Sequence, residues 1–260
     1  MIDSRGRELV MEKNIDGYTA LHFHTGWNEN VSLDIVSKLI DTGGLELVME
    51  QDQQYGSTAL QYYVCWNANV SLDIVSKMID TGGHELLMKK DQCDGETALH
   101  SACKNPNVSL DIISKLIDTG GIELVMEKDR YGGTALHIAC KNEHVTLDIV
   151  SMLITLGGKE LVMEKNIDGY TALHHGYFNL SRYIYSPSNS RFNDVFSLLV
   201  KECILSDVGG EFGIGGLFNV ATEQVVQNNI GGEFGIGGLF NVTTEQILLQ
   251  NNIGGEFVLL

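Results

Sequence analysis

The residues with the most evident chemical capacity are eight histidines and five cysteines. His22 and His24, or His174 and His175, stand close enough in sequence to be paired metal ligands. A tetrahedral site needs further donors, and no cysteine or carboxylate cluster completes a set around either pair. The cysteines are Cys65, Cys93, Cys103, Cys140 and Cys203. An odd count without a Cys-x-x-Cys pair argues against a disulfide framework and against a zinc knuckle. No Ser/His/Asp arrangement suited to nucleophilic catalysis stands out. Gly213-Ile-Gly215-Gly-Leu-Phe218 approaches the phosphate-cradling Gly-x-Gly-x-x-Gly fingerprint but fails at its last glycine. The expectation is therefore no catalytic residue, no metal and no cofactor.

Four of the histidines have a plainer explanation: they hold a fixed place in a repeated phrase. Asp16-Gly-Tyr-Thr-Ala-Leu-His22 recurs with variations that end at Gln61, His100, His137 and His174. Its threonines are Thr19, Thr58, Thr97, Thr134 and Thr171, at spacings of 39, 39, 37 and 37. A fixed period of this size is the mark of a stacked-repeat protein. Each unit reads as helix, turn, helix, loop. The first helix is short and starts near the threonine. The second starts at Ser32, whose hydroxyl is suited to cap the first turn, with Asp34 placed favourably in the helix dipole. Val31 and Val36 fit a hydrophobic staple, and Ile35, Val36, Leu39 and Ile40 make an apolar stripe. Gly43-Gly44 is expected to stop the helix. The same devices recur at Ser71, Ser109 and Thr146. The sequons beginning at Asn30, Asn69 and Asn107 read as parts of these caps rather than as glycosylation sites. A helix pair this short buries its apolar face only by stacking on neighbours.

The phrase from Asp94 to Cys103, Asp-Gly-Glu-Thr-Ala-Leu-His-Ser-Ala-Cys, closely resembles the ankyrin signature. The resemblance spans residues 1–203, five times in register. It implies an all-α, ankyrin-type solenoid of about five helix-pair repeats with hairpin-like loops. It also implies that Thr19, Thr58, Thr97, Thr134 and Thr171 open the first helices. His22, His100, His137 and His174 would then tie each repeat's backbone to the next. The departures are specific. The usual unit has ~33 residues, and the extra ones here precede each Asp-Gly, which predicts a longer connection. Alanine replaces the family's proline, and Gln61 replaces one histidine. His24 and Tyr63 stand where the family has a close-packing alanine, so repeats one and two are expected to be looser or shifted. Repeat five carries an insertion over 180–191, after which its second helix resumes at Phe192. Ile2 to Asn14 matches the tail of a unit, as at Ile117 to Asp129. Either a longer parent protein has been truncated or the first helix pair exposes apolar surface.

Residues 204–260 form a second, Gly-rich region. The twelve residues from Gly209 to Val220 recur unchanged from Gly231 to Val242, and a third copy starts at Ile253. The string Gly-Gly-Glu-Phe resembles the signature of diguanylate cyclases, but lacks one acidic residue and the surrounding domain. Its repetition fits a structural phrase better than an active site.

The formal net charge is −17, which disfavours nucleic acid and anionic membrane surfaces. No secretory leader or run of ~18 apolar residues is present, and the cysteine usage suits a reducing compartment, so an intracellular, cytoplasmic location is expected. The expected partner is another protein, bound on the concave groove that the resemblance implies, by a chain that is monomeric unless its uncapped first repeat associates. Tyr18, Tyr55, Tyr131 and Tyr170 sit at loop tips, and Trp27 and Trp66 end the first helices of repeats one and two. Lys104 and Lys141 hold that position in repeats three and four. Tyr and Trp are enriched in interface hot spots. The alternative for each ring is packing on its neighbouring loop. Two other functional readings stand beside a scaffold: a fragment of a larger repeat protein with no independent role, and a targeting array on a degenerate enzymatic tail.

Overall fold

The computed structural model describes residues 4–176. The repeat-five insertion, the boundary at 203/204 and the Gly-rich tail lie outside the described residues. Four first helices, α2 (Ala20–Gly26), α4 (Ala59–Trp66), α6 (Ala98–Lys104) and α8 (Ala135–Lys141), stack on one another in order. Four second helices, α3 (Leu33–Met49), α5 (Leu72–Met88), α7 (Leu110–Met126) and α9 (Leu147–Met163), form a second row. Helix α1 (Ser4–Met11) leans on α3, and a further first helix begins at Ala172. No strand occurs among the described residues, which hold a single bridge between Gln51 and Thr58.

The apolar stripe becomes the core between the two rows. Leu21, Leu60, Leu99 and Leu136 of the first helices are fully covered, as are Val75, Met78 and Leu116 of the second. Each such side chain contributes about 1.5–3 kcal/mol relative to exposure.

The threonine phrase works as a two-sided clasp. The N-cap backbone N–H of Thr19, Thr97 and Thr134 donates to Nδ1 of the histidine three residues on. An N–H can only donate, so Nδ1 carries no proton and Nε2 must. Nε2–H then donates to a carbonyl of the next repeat: Ser57 (3.2 Å), Gly133 (3.2 Å) and Tyr170 (3.1 Å). Gln61 reproduces both halves. Its Oε1 accepts from Thr58 N–H, and its Nε2 donates to the carbonyls of Glu96 (2.7 Å) and Lys89 (3.1 Å).

The other end of each first helix is fastened backwards by an asparagine the sequence did not single out. Asn67 Nδ2 donates to the carbonyls of Thr25 and Asn28 in the preceding repeat. Asn105 does the same to Val64 and Asn67, and Asn142 to Cys103 and Asn105. Their Oδ1 atoms accept from the backbone N–H two residues on, fixing the turn into the second helix.

Three expectations change. Gly43-Gly44 does not end the second helix. Gly44 leaves helical geometry at φ 68°, and the chain then re-enters helix as far as Met49. The extra residues of the long repeat are therefore helical. Leu47, fully buried, packs on Gly43, where a Cβ would lie 2.5 Å from the leucine Cβ. The first glycine makes room and the second makes the bend. Second, the side-chain cap bond forms at Ser32 and Thr146 but not at Ser71 or Ser109. Third, His24 and Tyr63 find work at the alanine position. His24 Nε2 accepts from Ser32 N–H (3.1 Å), and the Tyr63 hydroxyl accepts from Ser71 N–H (2.8 Å). Each side chain thereby satisfies the N-cap residue of its own second helix.

Burial holds His22, His100, His137 and His174 below the usual histidine value, His100 at about 4. A depressed folded value means this stabilisation is complete above 6.5 and is lost as pH falls towards 4. For His100 alone the difference is on the order of 3 kcal/mol. Glu96, raised by burial, works in the opposite sense in the carboxylate range. His100→Ala should cost about 2–3 kcal/mol in urea unfolding at neutral pH, since a buried N–H and a carbonyl lose their partner. His100→Gln should retain most of the stability and flatten the acid-side loss. Equal damage by both would show that ring packing, and not the pair of hydrogen bonds, is what matters.

Candidate functional site

Five loops connect the repeats, and each is closed by one Asn or Asp. Asp52 is typical: Oδ1 accepts from the N–H of Gln54 and Tyr55, and Oδ2 from Ser57. Asn14, Asp91, Asp129 and Asn166 occupy the same place. Neighbouring loops are then joined by one backbone bond each. Gln53 N–H donates to Asp16, Gln92 to Tyr55, Arg130 to Asp94 and Ile167 to Tyr131. Loop tips are thus held in register with one another.

Between the loops and those helix ends, across repeats one to three, lies an open cleft of about 570 Å³. Trp27, Tyr55, Tyr62 and Trp66 line one part of it. Asp91, Asp94, Glu96 and Lys104 line another. Tyr62 is the floor, at 7% exposure, with the rings of Trp27 and Tyr55 centred 5.1 and 6.5 Å away. Trp66 stands out at 74% exposure, Trp27 at 54% and Tyr55 at 42%.

The structure divides the residues expected at the groove. Trp27, Tyr55 and Trp66 come together in this cleft. Tyr18 lies underneath, 5% exposed, its hydroxyl 2.9 Å from that of Tyr62 and its ring 4.9 Å from Trp27. Burial pushes both tyrosine hydroxyls above their ordinary value, so they stay protonated. Tyr131 and Tyr170 are exposed at other loops and do not line the cleft. Tyr55 and Tyr131 precede the loop glycine, whereas Tyr18 and Tyr170 both follow it and abut the cap threonine. Tyr18 is buried because the rings of Trp27 and Tyr62 pack on it. Tyr62 was missed because it lies one residue past the clasp, at the helix position of Ser101 and Ile138. The acidic wall was legible in principle: Asp91, Asp94 and Glu96 fall within one loop.

Glu96 is almost covered, and Lys104 Nζ sits 2.6 Å from its Oε1 and 3.7 Å from Asp94 Oδ2. Burial raises the Glu96 carboxyl, which Lys104 counteracts. Burial also works against the Lys104 ammonium, and the Glu96 carboxylate outweighs it, leaving that group above its usual value.

Cys65 and the exposed Cys93 also line the cleft. Cys103 and Cys140 are buried and unbridged, and burial pushes the Cys103 thiol to about 12, far from a reactive thiolate. Among the described residues, no group of three or more His, Cys, Asp or Glu is placed to hold a metal ion. Nor is any described helix long and apolar enough to cross a membrane. A second cleft, about 720 Å³, lies near the Gly43-Gly44 bend and has no aromatic lining.

Display and packing can be separated by stability. Trp66→Ala should change the unfolding free energy by no more than about 0.5 kcal/mol, as for an ordinary surface position. Tyr62→Ala should cost about 3 kcal/mol. A comparable loss for both would mean that Trp66 is structural filling.

Comparison with known proteins agrees with this architecture. The family model for ankyrin repeats matches residues 64–164 as three copies. No curated protein matches the chain significantly in sequence. Among solved structures, the ankyrin-repeat protein EF0377 is similar at 21% identity and a TM-score of 0.56, covering 74% of this chain and 84% of that one. A chain from the complex of the Bd0816 predatory endopeptidase from Bdellovibrio bacteriovorus with immunity protein Bd3460 is similar at 20% identity and a TM-score of 0.52. It covers 74% of this chain and 85% of that one. Residues 64–164 match the ankyrin-repeat family in sequence, and the described helix-pair stack shares the fold of a solved ankyrin-repeat protein.

Proposed function

We propose that the chain is a non-catalytic binding module for another protein, and that the partner docks in the cleft formed by repeats one to three. The observation that carries this reading is Trp66: a tryptophan 74% exposed, lining an open cleft together with Tyr55 and Trp27. Large rings on a rigid frame bury much area with little entropy loss on binding. The frame is rigid here because each loop and each first helix is bonded to its neighbours. Ankyrin repeats are protein-interaction modules, and one structural neighbour comes from a complex of two proteins. The net charge of −17 favours a basic or mixed protein surface over nucleic acid. Tyr131 and Tyr170 are placed to extend contacts along the neighbouring loops.

A specific observation favours self-association as a second reading. Phe23 is 47% exposed, whereas its counterparts Tyr62, Ser101 and Ile138 are buried. Ile35 is 49% exposed, whereas Ile74, Ile112 and Ile149 are buried. This is the side of repeat one that the preceding repeat covers elsewhere in the stack. The chain is proposed to be monomeric unless that face associates, which sedimentation velocity of wild type and Ile35→Lys would read directly.

The principal test is capture from a lysate of the source cell, comparing wild type with a folded Tyr55→Ala/Trp66→Ala chain. A protein held by the first should lose roughly tenfold or more in affinity for the second. Equal affinity would move the site away from this cleft.

A further inference from the structure

The cleft has an uneven chemistry that narrows the partner. Three carboxylates, of Asp91, Asp94 and Glu96, face one ammonium, that of Lys104. Lys104 is committed to Glu96 at 2.6 Å, whereas its contact with Asp94 is long, at 3.7 Å. The Asp94 side chain keeps 40% of its surface in solvent. Asp91 Oδ1 is engaged by the N–H groups of Asp94 and Gly95. The rings of Trp27, Tyr55 and Trp66 line the same cleft.

We propose that this cleft is a receptor for one cationic side chain, a lysine or arginine of the partner, whose charge meets Asp94 and whose stem or guanidinium plane lies against Trp66 and Tyr55. The proposal rests on the reading above that the cleft is the docking site. An apolar side chain filling the same space would strip water from Asp94 and give nothing back, which is costly for a carboxylate. An anionic group would be repelled by the acids lining the cleft. A cation compensates the carboxylate and is attracted to the ring faces, an interaction that strengthens as water is excluded. The excess negative charge of the whole chain steers a cation towards the site. The combination belongs to one junction. Repeat two supplies Tyr55 and Trp66, and repeat three supplies the acids. Lys104 and Lys141 replace the tryptophan in the next two repeats, so the junctions that follow carry a cation where this one carries a ring.

The molecule contains its own reporter. Its only two tryptophans, Trp27 and Trp66, both line the cleft, so intrinsic tryptophan fluorescence reads this site alone. The full chain is titrated with N-acetyl-arginine amide, N-acetyl-lysine amide and the neutral isostere N-acetyl-norleucine amide. A saturable change with one or both cationic compounds, weakened by added salt and absent with norleucine, is expected. Asp94→Asn should weaken the cationic response roughly tenfold. Asp168→Asn, at the equivalent tip of repeat five, should leave it unchanged. Equal responses to norleucine, or none to either cation, would overturn the proposal. So would an unaltered response in an Asp94→Asn chain that unfolds at the wild-type temperature. The two readings fail separately. A captured partner lost with Tyr55→Ala/Trp66→Ala but retained with Asp94→Asn leaves the docking cleft standing and removes the cationic anchor.

Discussion

A neutral histidine ring, proton on Nε2, joins the start of one first helix to the backbone of the next repeat, and the order of the stack depends on it. The ring accepts from its own N-cap N–H and donates across the repeat boundary. Both partners are main-chain groups that would otherwise be buried unpaired. At the far end of the same helix an asparagine reaches the other way, into the preceding repeat. Every central first helix is therefore stitched forward at its N-terminus and backward at its C-terminus. Apolar burial supplies the bulk of the stabilisation, but it is indifferent to sliding. The directional bonds set the register.

That register makes the cleft possible. Tyr55 is positioned by Asp52 within its loop, and its carbonyl is tied to Gln92 in the next. Trp66 ends a helix whose following residue, Asn67, is bonded into repeat one. The rings and the acids belong to different repeats, yet none of their backbones is free to adjust independently. Binding to such a surface pays little ordering cost, which is the physical basis for reading it as a recognition site. The clasp histidines and the buried thiols of Cys103 and Cys140, by contrast, are enclosed in the scaffold.

The helix-pair stack was legible in the sequence because its signals are local and repeated. Thr-Ala-Leu-His names the cap, the core leucine and the clasp within four residues, and the interval between copies gives the architecture. Gln61 was legible only as a departure; that it serves the same two bonds depends on where Lys89 and Glu96 lie in space. The Gly-Gly bend misled because glycine ends helices more often than it kinks them, and the deciding contact, Leu47 on Gly43, needs the fold. His24 and Tyr63 were read through an alanine pattern that says nothing of polar substitutes. At the site, the places of Trp27, Tyr55 and Trp66 followed from repeat position, whereas the burial of Tyr18 turned on Tyr62, a residue of the next repeat that packs on its ring. The acids escaped because, ordinary in a loop, they acquire meaning only in a cleft shared with rings from the preceding repeats.

The most direct test of the account is hydrogen exchange of the full chain, followed by mass spectrometry, alone and with its captured partner. Slower exchange is predicted in the segments 51–66 and 91–104, which build the cleft, with the second helices 72–88 and 110–126 unaltered. Protection confined to the second helices, or spread evenly over the stack, would contradict the placement of the binding surface between the loops and the first helices.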